Sequence, residues 1–519
     1  MSTSKDSTGA PALKHVDIVR RLFPETPPTS PVTSKLSIID ATVGRFSPTA
    51  AIWLYDKPTE AEIPHHRLFD TLTQALGRTL NDYPHFAGQI QWASESMVKD
   101  DDVPRHLGRP VVVHGAPTDP GVEVVIASYD MRLDEVVPGR DERATRLKEW
   151  NASDFRQADF LPDTKTALSS LNALEGLPAV AVQLTAFRCG GFGVSAKMAH
   201  PLADAVTLTT FMHSWAARSR ILFGNGYAAG DLDVLKPGFN PAQLDQVAGL
   251  RPGSPPDPDR VAKARSLPMH RFDWWAEDAP GYPKPPSTFP PWPTWDMAAA
   301  VDHVQIRFAA DELARMREAA QASLPEDLKS LRISRLDAAL AHIWTLMNRA
   351  RGFQGDGESV YVNITLGLRN RVSPPLPDTF VGSPLLLGYV EKTADEAASR
   401  QLGPVAGAIR QMMSRFTPDA VAAYIHDAAH EVSPQRLWQG FPGTRHTIVT
   451  SWVRARTYEL DFLGSGGLAR YVQGVMPKID GLVQIMDVAD TGDFDVSVCM
   501  QRDAMGRLLK DSFLRQYEK

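Results

Sequence analysis

Apolar residues along this chain recur with two different periods, and stretches of the two kinds alternate without a strict order. Between residues 66 and 80, Leu68, Leu72, Ala75, Leu76 and Leu80 stand three or four apart, which predicts a helix ending before Tyr83-Pro84. Short β-rich runs surround it at residues 36–40, 50–55, 111–113 and 122–127, with a strand or turn at 86–90. The clearest pattern runs from Pro178 to Arg220. Residues 180–187 read as a strand, Cys189-Gly190-Gly191 as a tight turn and residues 192–197 as a returning strand. His200-Pro201-Leu202-Ala203-Asp204 follows, and Leu208, Phe211, Met212 and Trp215 then recur at helical spacing. Pro201 suits the first helical position, where its missing N–H leaves no bond unmade. Asp204 is then expected in the first turn, where the helix dipole favours a carboxylate. A histidine is thereby held where a buried strand meets a rigid helix, a setting suited to a general base.

The second half repeats this mixture. Strands are expected at residues 303–308, 360–366, 447–453, 481–486 and 495–500, and helices at 310–320, 334–351, 396–415, 419–431 and 504–515. Between the halves, Pro255-Pro256, Pro285-Pro286 and Pro290-Pro291 are interspersed with Trp274, Trp275, Trp292 and Trp295. That composition reads as an extended crossover whose tryptophans pin it to the protein. The expected organisation is a disordered N-terminus (1–12), an N-terminal domain (13–234), a Pro/Trp-rich linker (235–298) and a C-terminal domain (299–519). Strands and helices mix without strict βαβ order, so the fold class is α+β.

Composition and charge then exclude several classes of function. An apolar fraction of 43% in 519 residues is ample for two cores. A net charge of −6 offers no electrostatic handle for nucleic acid or an anionic membrane surface. No stretch approaches the roughly 20 apolar residues that span a bilayer, and the opening MSTSKDSTGAPALK lacks the apolar segment of a secretory signal. Cys189 and Cys499 are the only cysteines, too few for a disulfide framework, which points to a reducing compartment. A soluble, cytoplasmic, monomeric protein is expected. His426 and His430 have a spacing seen in metal sites, but Asp427 and Glu431 beside them mark a solvated face, so no metal site is expected.

Five segments then fall into a recognisable order. QLTAFRCGGFGVSAKMAHPLADA (183–205) resembles the strand-turn-strand and HxxxD segment of the BAHD acyltransferases, acyl-CoA-dependent enzymes of plant and fungal specialised metabolism. LFDTLTQALGRTLNDYPHFAGQI (68–90) is similar to the family's early helix and following turn, and SRLDAALAHIWTLMNRAR (334–351) to the helix opening its second half. LRNRVSPPLPDTFVGS (368–383) resembles its arginine and PPLP segment, and TSWVRARTYELDFLGSG (450–466) its Ser/Thr-Ser-Trp strand and DFGWG motif. The sequence departs at Ala205, where the family usually has Gly, at Gly367 for an acidic residue and at Ser383 for Asn. Asp461, Phe462, Gly464 and Gly466 keep the motif loop without its tryptophan.

The resemblance implies two chloramphenicol-acetyltransferase-like domains, each a mixed sheet with flanking helices, meeting along a channel with His200 midway. It implies acyl-CoA as a co-substrate and no permanently bound cofactor. Acyl transfer from a thioester to an alcohol needs a base for the hydroxyl proton, a donor for the oxyanion and an acid for the departing thiolate. A neutral imidazole, with an ordinary pKa of about 6.5, can do the first and last, so His200 is assigned both. No covalent acyl-enzyme is required, and Cys189 has no adjacent histidine to activate it. Asp204 could either orient His200 or serve the fold. The resemblance implies the second, through an ion pair with Arg369 or Arg371 from the other half. Thr450, Ser451 and Trp452 match a family strand facing the site. The expected activity is O-acylation of a small specialised metabolite. The alternatives are an amine acceptor, a condensation-domain-like enzyme using a carrier-protein thioester, and a non-catalytic relative that binds a metabolite or protein.

Overall fold

The computed structural model describes residues 13–44, 46–58, 63–98, 106, 109–166, 175–226, 236–273, 290–431, 437–489 and 491–518. The N-terminal segment 1–12, Trp274, Trp275, Pro285 and Pro286 lie outside the described residues.

Two mixed sheets with flanking helices organise the chain. In the six-stranded sheet the order is Lys14–Leu22, Val122–Tyr129, Val180–Phe187, Phe192–Met198, Thr49–Tyr55 and Tyr471–Gly474. The seven-stranded sheet runs Leu385–Thr393, Ser359–Gly367, His446–Ser451, Leu482–Asp487, Phe494–Gln501, Val301–Phe308 and Glu149–Asn151. Most of these strands coincide with β-rich runs in the sequence. Leu385–Thr393 had no such signal: its residues alternate faces, but its pairing with Ser359–Gly367 is set by the sheet. Each sheet also takes one strand from the other half of the chain. Tyr471–Gly474 pairs antiparallel with Thr49–Tyr55, and Glu149–Asn151 with Val301–Phe308.

The helix His65–Leu80 packs with Ala205–Leu222 on one face of the six-stranded sheet, enclosing Trp53, Phe86, Phe211 and Trp215. Arg335–Arg351, with Trp344 fully buried, anchors the core of the second sheet together with Leu402–Ser414 and Ala310–Ala322. Two readings at helix starts are corrected. Residues 36–40 are not a strand but enter the short helix Ile38–Thr42. Ser37 accepts from the Asp40 N–H at 3.0 Å, and Asp40 accepts from the Ser37 N–H at 2.9 Å. That reciprocal cap overrides the β preference of Ile38-Ile39. Pro201 is not the first helical residue either. The helix begins at Ala205, and Asp204 caps it by accepting from the Thr207 N–H at 2.8 Å.

The described part of the linker is pinned as its aromatics suggested. Trp292 stacks on Trp295, and both meet Phe441 edge-on at 5.0 and 5.5 Å. It also forms two helices, Pro241–Gln246 and Pro258–Arg265, where an extended chain was expected. Each opens on a proline at its first turn, the one place a helix accepts it.

A buried polar network joins the halves at the exchanged strands. Gln305 donates to Tyr471, Gln473 and Ser497 at 3.0, 2.9 and 3.2 Å. Arg143 pairs with Asp495 at 2.7 Å with both side chains under 8% exposed, and Tyr458 donates to the same carboxylate. Removing one member of such a pair leaves a buried charge, a loss of about 3 kcal/mol. Arg143→Met is therefore expected to lower the urea midpoint by that equivalent; an unchanged midpoint would show that Arg307, whose Nη1 lies 3.6 Å from the same carboxylate, alone satisfies Asp495.

Candidate active site

His200 follows the strand Phe192–Met198, with Met198, Ala199 and Leu202 around it at most 1% exposed. Its backbone is therefore fixed by packing on both sides, while the imidazole itself is half-buried. Nδ1 lies 3.0 Å from the Ser383 hydroxyl oxygen, and Phe46 meets the ring edge-on at 5.3 Å. Burial pushes the imidazolium down to about 4, only partly countered by the residue's own main-chain carbonyl and by Asp204. At neutral pH the ring is uncharged and can accept a proton.

Asp204 points away from that chemistry. Its carboxylate takes two bonds from Arg369, Nη1 to Oδ2 at 2.6 Å and Nη2 to Oδ1 at 3.0 Å. Arg369 Nη2 also donates to Thr207 Oγ1 and to the Phe380 carbonyl, both at 3.0 Å. The Asp204 N–H and the Thr207 hydroxyl donate to the Gly382 carbonyl at 3.1 and 2.8 Å. One turn of helix is thus tied to segment 380–383 of the other half, and Ser383 is delivered to His200. Asp40 completes the arrangement by accepting from the Ser383 N–H at 2.7 Å. Gly382 has φ +150, and a Cβ there would sit 3.2 Å from Asp40 Oδ1, so the approach requires glycine. Ser37, Asp40 and Ser383 are all fully buried, and burial raises Asp40 to about 6.

Other predicted residues are dispersed. Arg371 is not at the site: its Nη1 donates to the carbonyls of Met413 and Phe416, closing the end of the helix Leu402–Ser414. Thr450 pairs in register with Gln484, on the sheet face that also carries Thr365, Leu387, Ser497 and Gln305. That face looks toward the six-stranded sheet, since Gln305 bonds Tyr471 and Gln473 there. Thr365, Ile448 and Thr450 remain half-exposed in the middle of a seven-stranded sheet, which marks open space between the halves. Ser451 alternates to the opposite face, in register with the core residue Ile485. The two hydroxyls therefore do not act together. Trp452 is 5% exposed and packs in the same apolar cluster as Met198, Leu202 and Ala203.

The motif loop closes on itself. Asp461 accepts the N–H groups of Leu463, Gly464 and Gly466 at 2.8 to 2.9 Å, so its carboxylate is occupied by its own loop. Gly464 and Gly466 take φ of +79 and +73, and Phe462 is buried edge-on against Trp215. Cys189 sits in the turn at the other end of the seven-residue strand, roughly 20 Å from His200 at about 3.3 Å per residue. His426 Nε2 accepts from the Asp257 N–H, and Asp427 is paired with Arg265 and Arg271 rather than solvated. A cleft of about 590 Å³ lined by Lys35, Phe239 and Asp245 does not include His200. It backs onto the helix bearing Asp40, where Asp245 accepts from the Ile38 N–H.

Asp40, Phe46, Thr207 and Ser383 are the site residues that sequence reasoning left unassigned. Ser383 was visible as a departure from a pattern, and Ser37-x-x-Asp40 has the spacing of a capping box. Phe46 and Thr207 carry no such signal.

Comparison with known proteins agrees with this geometry. The pattern of the transferase family matches residues 118–222 and 276–513, well over half of the chain. The chain is 25% identical to acyltransferase AFT15-1 of Alternaria alternata over 464 residues, 87% of this chain and 86% of that one. It is 22% identical to vinorine synthase of Rauvolfia serpentina over 88% of this chain and 87% of that one. The crystal structure of vinorine synthase superposes with a TM-score of 0.64 at 18% identity, covering 95% and 96% of the two chains. That of F. graminearum TRI101 with coenzyme A and deoxynivalenol gives 0.68 at 17%, covering 94% and 99%. With the histidine, its paired aspartate and the two-sheet fold in family order, the chain belongs to the BAHD transferase family and is an acyl-CoA-dependent acyltransferase.

Proposed function

We propose that the protein moves an acyl group from acyl-CoA to a hydroxyl of a small specialised metabolite, with His200 as the general base. The observation that carries this reading is the uncharged, backbone-locked imidazole held against Ser383 at the junction of the two halves. His200 Nε2 takes the hydroxyl proton as the oxygen attacks the thioester carbonyl. The tetrahedral intermediate then collapses, and the same proton passes to the leaving sulfur. Of Thr450 and Ser451, Thr450 is the one on the sheet face turned toward the N-terminal half, and we assign it to substrate contact. The single thiol near the motif, Cys189, lies a strand's length away, which supports direct transfer without an acyl-enzyme.

Complexes of TRI101 with coenzyme A and deoxynivalenol or T-2 mycotoxin support a small-molecule acceptor. Relatives named putrescine hydroxycinnamoyltransferase 1 and tryptamine benzoyltransferase 2, both of Oryza sativa, favour an amine acceptor as the second reading. An aliphatic amine reaches the site mostly protonated, with a pKa near that of lysine at about 10.4. The groups touching His200 here, Phe46 and Ser383, carry no charge to receive it. A hydroxyl meets no such mismatch.

Release of free CoA from an acyl-CoA panel, tested with alcohol and amine acceptors, separates these readings. His200→Ala is expected to lower kcat by about 10² to 10⁴; retained turnover would remove His200 from the chemistry. Only neutral His200 can accept the proton, so kcat/KM should hold from neutrality downward and fall as pH drops through about 4. Circular dichroism at each pH confirms a folded chain, and an acid limb near the ordinary histidine value would contradict a desolvated base. Asp204→Asn leaves Arg369 half-paired and is expected to reduce stability by about 3 kcal/mol as well as rate. Lost activity with an unchanged melting temperature would instead make Asp204 a direct partner in catalysis.

A further inference from the structure

We infer that Ser383 is the positioning residue for His200, its hydroxyl oxygen accepting the Nδ1–H and holding the tautomer whose lone pair lies on Nε2. The inference rests on reading His200 as the base acting through Nε2 and adds which residue holds the ring in that state. Two observations support this direction for the 3.0 Å contact between Nδ1 and Ser383 Oγ. First, the main-chain carbonyl of His200 itself is among the groups that favour a proton on the ring. A carbonyl only accepts, and Nδ1 is the ring nitrogen adjacent to the main chain, so the inferred tautomer places the proton where that carbonyl favours it. Second, Ser383 does not choose its position freely. Its N–H is held by Asp40 at 2.7 Å, Asp40 is held by both the N–H and the hydroxyl of Ser37 at 2.9 and 2.6 Å, and all three residues are fully buried. The backbone that carries the hydroxyl is therefore held in place beside the imidazole, and in the inferred tautomer the oxygen accepts.

When Nε2 takes the substrate proton, the ring becomes an imidazolium with two N–H groups. The Ser383 oxygen continues to accept from Nδ1, so the same contact holds the ring before and after proton transfer. No proton moves along it. The bond formed is Nε2–H, the bond broken is the acceptor O–H, and the proton leaves later with the thiolate. Asp40 stays outside this transfer, because it touches Ser383 through the backbone N–H and not through the hydroxyl.

The test reads the tautomer directly. Nitrogen NMR of histidine-labelled protein, with His200 assigned by its loss in His200→Gln, is expected to show Nδ1 protonated and Nε2 bare at neutral pH. In Ser383→Ala the signal should move toward a mixture of tautomers. CoA release should fall about five- to tenfold in kcat, the equivalent of one neutral hydrogen bond, with KM for acyl-CoA held within about twofold. Ser383→Asn, whose amide oxygen also accepts, should restore both readouts. A wild-type spectrum with Nε2 protonated overturns the inference, and so does a Ser383→Ala protein with the wild-type spectrum and kcat. If Ser383→Ala fails to fold, the wild-type and Ser383→Asn spectra still decide. The spectrum needs no substrate: the expected tautomer in a protein that transfers no acyl group would sink the assigned reaction and leave the positioning intact.

Discussion

The pair between Asp204 and Arg369 is the contact on which the site's geometry depends. Asp204 starts the helix of one half's strand-turn-helix unit, and Arg369 belongs to the other half, 165 residues later. Both are almost fully buried, at 5% and 6% exposure. Two charges withdrawn from water gain little net stability from each other, because desolvation offsets most of their attraction. What they supply is placement. A bidentate guanidinium–carboxylate contact tolerates only one relative orientation, and Thr207 and the carbonyls of Phe380 and Gly382 fill the remaining donor and acceptor positions. The helix start, the segment 380–383 and the histidine are thereby fixed as one piece.

A second fixed point acts from the opposite side. The reciprocal cap of Ser37 and Asp40 begins a helix of only five residues, too short to be stable by its own backbone bonds. Its third-position carboxylate has a further partner in the Ser383 N–H. A local helix-start device is thus also a tertiary clasp. Together with Asp204 and Arg369 it traps Ser383 and Gly382 between two buried carboxylates, close enough that Asp204 adds to the cost of charging Asp40. That crowding accounts for a glycine at 382 with positive φ, where a Cβ would press on Phe380 and Asp40.

Local signals explain what was legible in the chain. The strand, turn and helix around His200 appeared because their periodicities are complete within forty residues, and Arg369 appeared because a family pattern placed it. The choice between Arg369 and Arg371 was not local: both are cations two residues apart, and only the Met413 and Phe416 carbonyls at a distant helix end divert the second. The misread strand at residues 36–40 shows β-branched residues overruled by a cap that the spacing Ser37-x-x-Asp40 encodes. Thr450 and Ser451 could be placed on a strand, but which hydroxyl faces the other half depends on sheet register. The short strands Glu149–Asn151 and Tyr471–Gly474 carry almost no pattern, since each borrows its stability from a sheet belonging to the other half.

That exchange has a consequence for how the protein comes into being. Thr49–Tyr55 is buried along its whole length, yet the strand that covers its edge arrives with Tyr471, more than four hundred residues later. At about 5 to 20 residues per second, a ribosome takes roughly twenty to eighty seconds to supply it. For that interval the nascent N-terminal half presents an apolar, unpaired strand edge, the kind that recruits neighbouring chains. Yield of soluble protein should therefore respond to chaperone supply and translation speed more than to the stability of the finished fold.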